Sequence, residues 1–95
     1  PYLYMASQIH AGLDGVERQL QAPRATDAPY ASAGEMLPTS LGEALDALLS
    51  DAMLCTGFGQ AFVDYFVRIK RAEQLRWEQA EDKDEFQRRE YFSRF

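Results

Sequence analysis

Several residue types are scarce in this chain, and each scarcity excludes something. There is one cysteine, Cys55, and one histidine, His10, in 95 residues. A lone cysteine cannot close an internal disulfide, which fits a reducing compartment. Cys55 lies in the apolar turn Ala52-Met53-Leu54-Cys55 and reads as a small buried hydrophobe. A nucleophilic thiol needs an activating base, and His10 stands about forty-five positions away. The two together do not make a tetrahedral metal set. His10 sits beside Ile9, one step off an apolar stripe, and reads as a hydrogen-bonded structural histidine. No apolar run approaches the ~18 residues of a membrane span, and no signal-peptide pattern opens the chain. The expectation is a cytoplasmic, soluble protein with no membrane partner.

Basic side chains are also outnumbered. Ten Lys and Arg face fifteen Asp and Glu, for a net charge of −5. An acidic chain is a poor nucleic-acid binder, because phosphate contacts need a basic face. Arg68, Lys70, Arg71 and Arg76 form the one basic cluster, interrupted by Asp64, Glu73 and Glu78, and read as a solvated helical face. No Gly-rich phosphate loop with a lysine occurs, nor a serine with matching histidine and aspartate. Glu81, Asp82, Asp84 and Glu85 are close together, but they open a helix, where capping accounts for them. Residues 1–95 therefore contain no expected catalytic, cofactor-binding or metal-ligating set.

What is present is helical periodicity. Ninety-five residues make one domain. Leu3, Ala6, Ile9, Leu13, Val16 and Leu20 recur at steps of three and four, predicting a helix from about Tyr2 to Leu20. Pro1 suits its first turn and Pro23 lies beyond its end. Gly12 and Gly15 interrupt this helix at a cost of about 1 kcal/mol each against alanine, which suggests close packing against another backbone. Residues 22–39, rich in proline and small residues, predict a long loop, a length usually associated with function or with draping over a neighbour.

Ser40 and Glu43 match a capping box, in which the carboxylate returns to the Ser40 N–H. Leu41, Leu45, Leu48 and Leu49 give the buried stripe of that second helix. A short apolar turn follows from Ser50-Asp51 to Cys55 and is broken by Gly57 and Gly59. The longest helix is predicted over about Gln60–Ala80, with Phe62, Tyr65, Phe66, Ile69, Ala72 and Arg76/Trp77 on one side. An Asp64–Arg68 pair is expected on its outer face. Asp82 caps a final helix to about Phe92, presenting Phe86, Tyr91, Phe92 and Phe95. No strand is predicted. The expected architecture is all-α, an irregular cluster of four to five helices with one long proline-containing loop. Nine of the twelve aromatics lie from Phe58 onward. That is more apolar surface than a cluster of this size hides, so part of the domain is expected to dock on a larger body.

Four blocks carry a resemblance to a known family. They are Pro1-Tyr2-Leu3 through Arg18; Leu37-Pro38-Thr39-Ser40-Leu41-Gly42-Glu43-Ala44-Leu45-Asp46-Ala47-Leu48; Phe62 through Lys70-Arg71-Ala72-Glu73; and Arg89-Glu90-Tyr91 to Phe95. In this order they resemble the C-terminal part of the glutamine synthetase family. The resemblance implies an ATP-dependent ligase that joins ammonia or an amine to the γ-carboxylate of glutamate through a γ-glutamyl phosphate. It also implies ATP and Mg²⁺ or Mn²⁺ as cofactors of the whole enzyme, with assembly into stacked rings as a homo-oligomer. In that family the metal-binding glutamates, the histidine and the arginines precede the Pro-Tyr-Leu motif, so none maps onto residues 1–95. The implied role for this segment is structural, backing the rest of the catalytic domain. Some bacterial members are adenylylated on a loop tyrosine, and Tyr30 falls near that place, but its flanks Ala28-Pro29 and Ala31-Ser32 depart from the family pattern, and the residue reads first as a loop tyrosine packing on a neighbour. The competing reading is a free-standing helical interaction module.

Overall fold

A computed structural model describes residues 1–28, 30, 31, 34 and 36–92. They form five helices and, among the described residues, no strand: α1 (Tyr2–Glu17), α2 (Leu41–Ser50), α3 (Ala52–Phe58), α4 (Gln60–Gln79) and α5 (Lys83–Tyr91). The all-α expectation holds. The described residues between Arg18 and Ser40 lie outside any helix. Pro29, Ser32, Ala33 and Glu35 of the expected loop, and the expected terminal Phe95, lie outside the described residues.

The core is built by α2, α3 and α4, which are joined through single residues. Asp51 ends one helix and starts the next. Its N–H donates to Leu48 O at 3.2 Å, and its carboxylate accepts the Leu54 N–H at 2.9 Å. That cap makes a true helix of the segment expected to be only a turn. Gly59 plays the corresponding part between α3 and α4, at φ +86°, a conformation that side chains beyond glycine rarely adopt. Folded at these two joints, the three helices enclose Leu45, Cys55, Val63 and Val67, with Leu48, Phe58 and Phe66 packed against them. Cys55 is the buried hydrophobe expected, its thiol donating to Leu48 O at 3.3 Å.

The inward face of α4 differs from the expected one. Val63, Val67 and Glu73 are buried, while Tyr65, Ile69 and Ala72 are exposed. The helix carries apolar residues around much of its circumference, so spacing alone did not fix the side that meets α2 and α3. The expected Asp64–Arg68 pairing is replaced by Gln60, whose Nε2 donates to Asp64 at 2.8 Å.

At its start α1 is capped by Pro1, whose carbonyl accepts the Met5 N–H at 3.0 Å. It stops at Glu17, short of Leu20, in a Schellman arrangement. Gln19 adopts φ 52°, Leu20 N–H reaches Gly15 O at 2.9 Å, and Gln19 N–H reaches Val16 O at 3.1 Å. The helix meets the rest of the chain chiefly at α3. α5 is held by Asp82, which accepts the Glu85 N–H at 2.9 Å as expected, and by Phe86, buried under α4. Lys83 ties the α4–α5 corner. Its ammonium donates to the carbonyls of Trp77, Glu78 and Ala80 at 2.6, 2.7 and 2.9 Å.

This arrangement is open. Its radius of gyration is 16.9 Å, against about 13 Å for a compact domain of this length. Its accessible surface is 8367 Å², where a folded monomer of this mass exposes roughly 5,500 Å².

Candidate functional site

The excess surface is apolar and organised. Of the stripe that predicted α1, Ile9, Leu13, Val16 and Leu20 are exposed, Val16 at 78%, while Ala6 is half-buried and Leu3 borders the core. The inward contact comes from His10 instead, its ring edge-on to Phe58 with centroids 5.1 Å apart. Ring packing, rather than the expected hydrogen bond, therefore positions this histidine. Gly12 and Gly15 have open space where a side chain would stand, so no backbone among the described residues packs against them. The close approach occurs at Gly57, where a β-carbon would lie 2.7 Å from His10 Nδ1. Beside this contact, Leu3, Tyr4, Leu48, Phe62 and Phe66 help line an apolar groove of about 220 Å³ between α1 and the core.

The charged candidates are mostly paired. Lys70 bonds Glu73, Arg71 bonds Asp46, and Arg76 lies 3.5 Å from Glu90. Lys70, Arg71 and Arg76 of the basic cluster thus each meet a carboxylate. Asp82 serves as a cap, and no group of three His, Cys, Asp or Glu among the described residues is placed to hold a metal ion. Tyr30 is fully exposed, so the expected packing on a neighbour is not made within the described residues. Glu43 caps α2 with one change from the expected box. Ser40 Oγ accepts the Glu43 N–H at 3.2 Å, but the carboxylate returns mainly to Thr39, accepting its N–H at 2.7 Å and its hydroxyl at 2.8 Å. These bonds hold the Glu43 carboxyl below the usual range, the Thr39 backbone N–H contributing most, the Thr39 hydroxyl next and the Ser40 backbone less.

One polar feature was not legible in the sequence. A cavity of about 340 Å³ lies between Thr39-Ser40-Leu41, α4 and α5, with Trp77, Phe86 and Tyr91 among its walls. Glu73 also lines it, and the residue is only 9% exposed. Oε2 of Glu73 accepts from Lys70 Nζ at 2.8 Å, while Oε1 is buried without a partner. The spacing of α4 gave no warning, because it placed Ala72 rather than Glu73 on the inner side.

The glutamine synthetase catalytic domain family matches residues 1–89. The chain is 40% identical to the γ-glutamylanilide synthase of Acinetobacter sp over 98% of its own length and 21% of that protein. It is 37% identical to a glutamine synthetase of Mycolicibacterium smegmatis, over 82% of this chain and 19% of that one. It is 35% identical to lengsin of Homo sapiens, over 97% of this chain and 18% of that one. No solved structure matches. The chain thus spans about one fifth of the length of these relatives, and it belongs to the glutamine synthetase catalytic domain family.

Proposed function

We propose that residues 1–95 are the helical C-terminal part of an ATP-dependent glutamate–ammonia or glutamate–amine ligase. In this reading they brace the catalytic barrel and support a homo-oligomer of stacked rings, while ATP and Mg²⁺ or Mn²⁺ are held by residues elsewhere in the polypeptide. The observation that carries the reading is the exposed stripe of α1 at Ile9, Leu13 and Val16, continued by Leu20 just beyond its end, on a chain about half again more exposed than a folded monomer of its mass. A helix with an uncovered apolar face is stable only when another surface hides it. The relatives are about five times longer, which leaves ample polypeptide to supply that surface. Gly12 and Gly15 fit the same role, as positions where the covering element approaches the α1 backbone.

The test is an assay of the intact polypeptide with ATP, glutamate and a panel of amines, ammonia included. Phosphate release that depends on both glutamate and an amine is the expected result. Residues 1–95 alone should give no turnover. Ligase activity from them alone, or none from the intact polypeptide with any amine, overturns the reading. Tyr30 is proposed as a secondary regulatory position because its ring is accessible. Intact mass with and without nitrogen limitation tests it, and an unchanged mass rules the switch out.

A further inference from the structure

We propose that the cavity between Ser40, α4 and α5 binds a small primary amine with an apolar body, whose ammonium N–H donates to Glu73 Oε1. Three observations converge on this class of ligand. Glu73 is 9% exposed, and its Oε1 is the unpartnered buried oxygen among the described residues. A buried carboxylate oxygen without a donor is costly, so the site favours any ligand that brings one. The walls at Trp77, Phe86 and Tyr91 are aromatic, which suits an apolar body and attracts a cationic head. The volume of about 340 Å³ is at the small end of the roughly 300–1,000 Å³ of ligand pockets.

Lys70 does not occupy the site. It holds Oε2 at 2.8 Å and lies 5.8 Å from the centre of the Tyr91 ring, leaving the other oxygen without a donor. Because Oε1 is shielded in the empty cavity, ligand entry requires the carboxylate to rotate about its terminal torsion. That torsion is soft. The proposal does not rest on the ligase reading, since a protein without ligase turnover would still bind the amine here.

Isothermal titration calorimetry on the intact protein tests it with two probes. 2-Phenylethylamine carries N–H donors; its N,N,N-trimethyl analogue keeps the charge and the ring but has none. The primary amine should bind saturably and about ten-fold more tightly, the difference expected for one charge-assisted hydrogen bond. Glu73→Gln, with an unchanged helical circular dichroism spectrum, should reduce primary-amine affinity to that of the analogue. Equal affinity for the two probes overturns the proposal. So does undiminished binding by Glu73→Gln, or the absence of saturable binding by either probe. Should Glu73→Gln fail to fold, Glu73→Asp, which keeps the charge but withdraws the oxygen from the cavity, takes its place; undiminished primary-amine binding by that variant overturns the proposal, and this separates the cavity from any amine site of the proposed ligase.

Discussion

The ring of His10 lies so close to the backbone of Gly57 that a β-carbon on that glycine would stand 2.7 Å from Nδ1 and 2.9 Å from the ring's attachment carbon. This contact fastens α1 to α3, the chief meeting point between α1 and the rest of the chain. Gly57→Ala should therefore displace His10 and cost about 1–3 kcal/mol as an overpacking change, despite alanine's better helix propensity. Combining it with His10→Ala should recover part of that loss. A double-mutant cycle on denaturant midpoints checks the coupling, and additive effects would show that the two residues act independently.

Glu43 predicts a pH effect. Its folded carboxyl is held below the ordinary value by Thr39, so its stabilisation is present above the unfolded value and is lost as pH falls through the folded one. NMR titration of the Glu43 carboxyl should place its midpoint below that of free glutamate. Thr39→Val removes the hydroxyl but keeps the backbone N–H, the larger contributor. The midpoint should rise only part of the way back, and a complete return would show that the hydroxyl was the main cause.

Lys83 ties three carbonyls at the end of α4 and stands 4.9 Å over the Trp77 ring. Lys83→Met keeps much of the stem and loses the donors. A loss of about 1 kcal/mol follows, since solvent shares in these bonds. Trp77 is the sole tryptophan of residues 1–95, so its emission, recorded on that chain, should shift to the red as the corner loosens.

Leu45 is 2% exposed, in a core of few residues. Leu45→Ala should cost about 2–5 kcal/mol, a large share of the roughly 5–15 kcal/mol available to a domain. Thermal unfolding followed by circular dichroism should show a markedly lower midpoint. By contrast, Leu13→Ala on the isolated chain should change little, because Leu13 is 63% exposed. In the intact polypeptide the same change should destabilise if the α1 stripe is covered there as proposed.

Gln19 offers the opposite sign. It occupies the left-handed position of a Schellman end, at φ 52°, where glycine carries no β-carbon penalty. Gln19→Gly should stabilise α1 by up to about 1 kcal/mol. A fall in the thermal midpoint would mean that the Gln19 side chain makes a contact outweighing the strain.

Much of this fold is set by short-range chemistry, and that part was legible in the sequence. Ser40 and Asp82 cap where serine and aspartate were expected, because a side-chain oxygen reaching an N–H three residues on depends only on local backbone. Helix existence followed from periodicity for the same reason. Periodicity also showed that Leu3, Ile9, Leu13 and Val16 share a face, and the four family blocks were readable as words in order. Tertiary structure decided which faces meet. It turned Val63 and Val67 inward in place of Tyr65 and Ile69, put His10 against α3 while Ile9, Leu13 and Val16 stayed exposed, and buried Glu73 with one oxygen unpaired. Those outcomes depend on the one-residue joints at Asp51 and Gly59, which set the directions of α3 and α4. A helix's spacing says what lies on each of its sides, and only the neighbouring helices determine which side is covered.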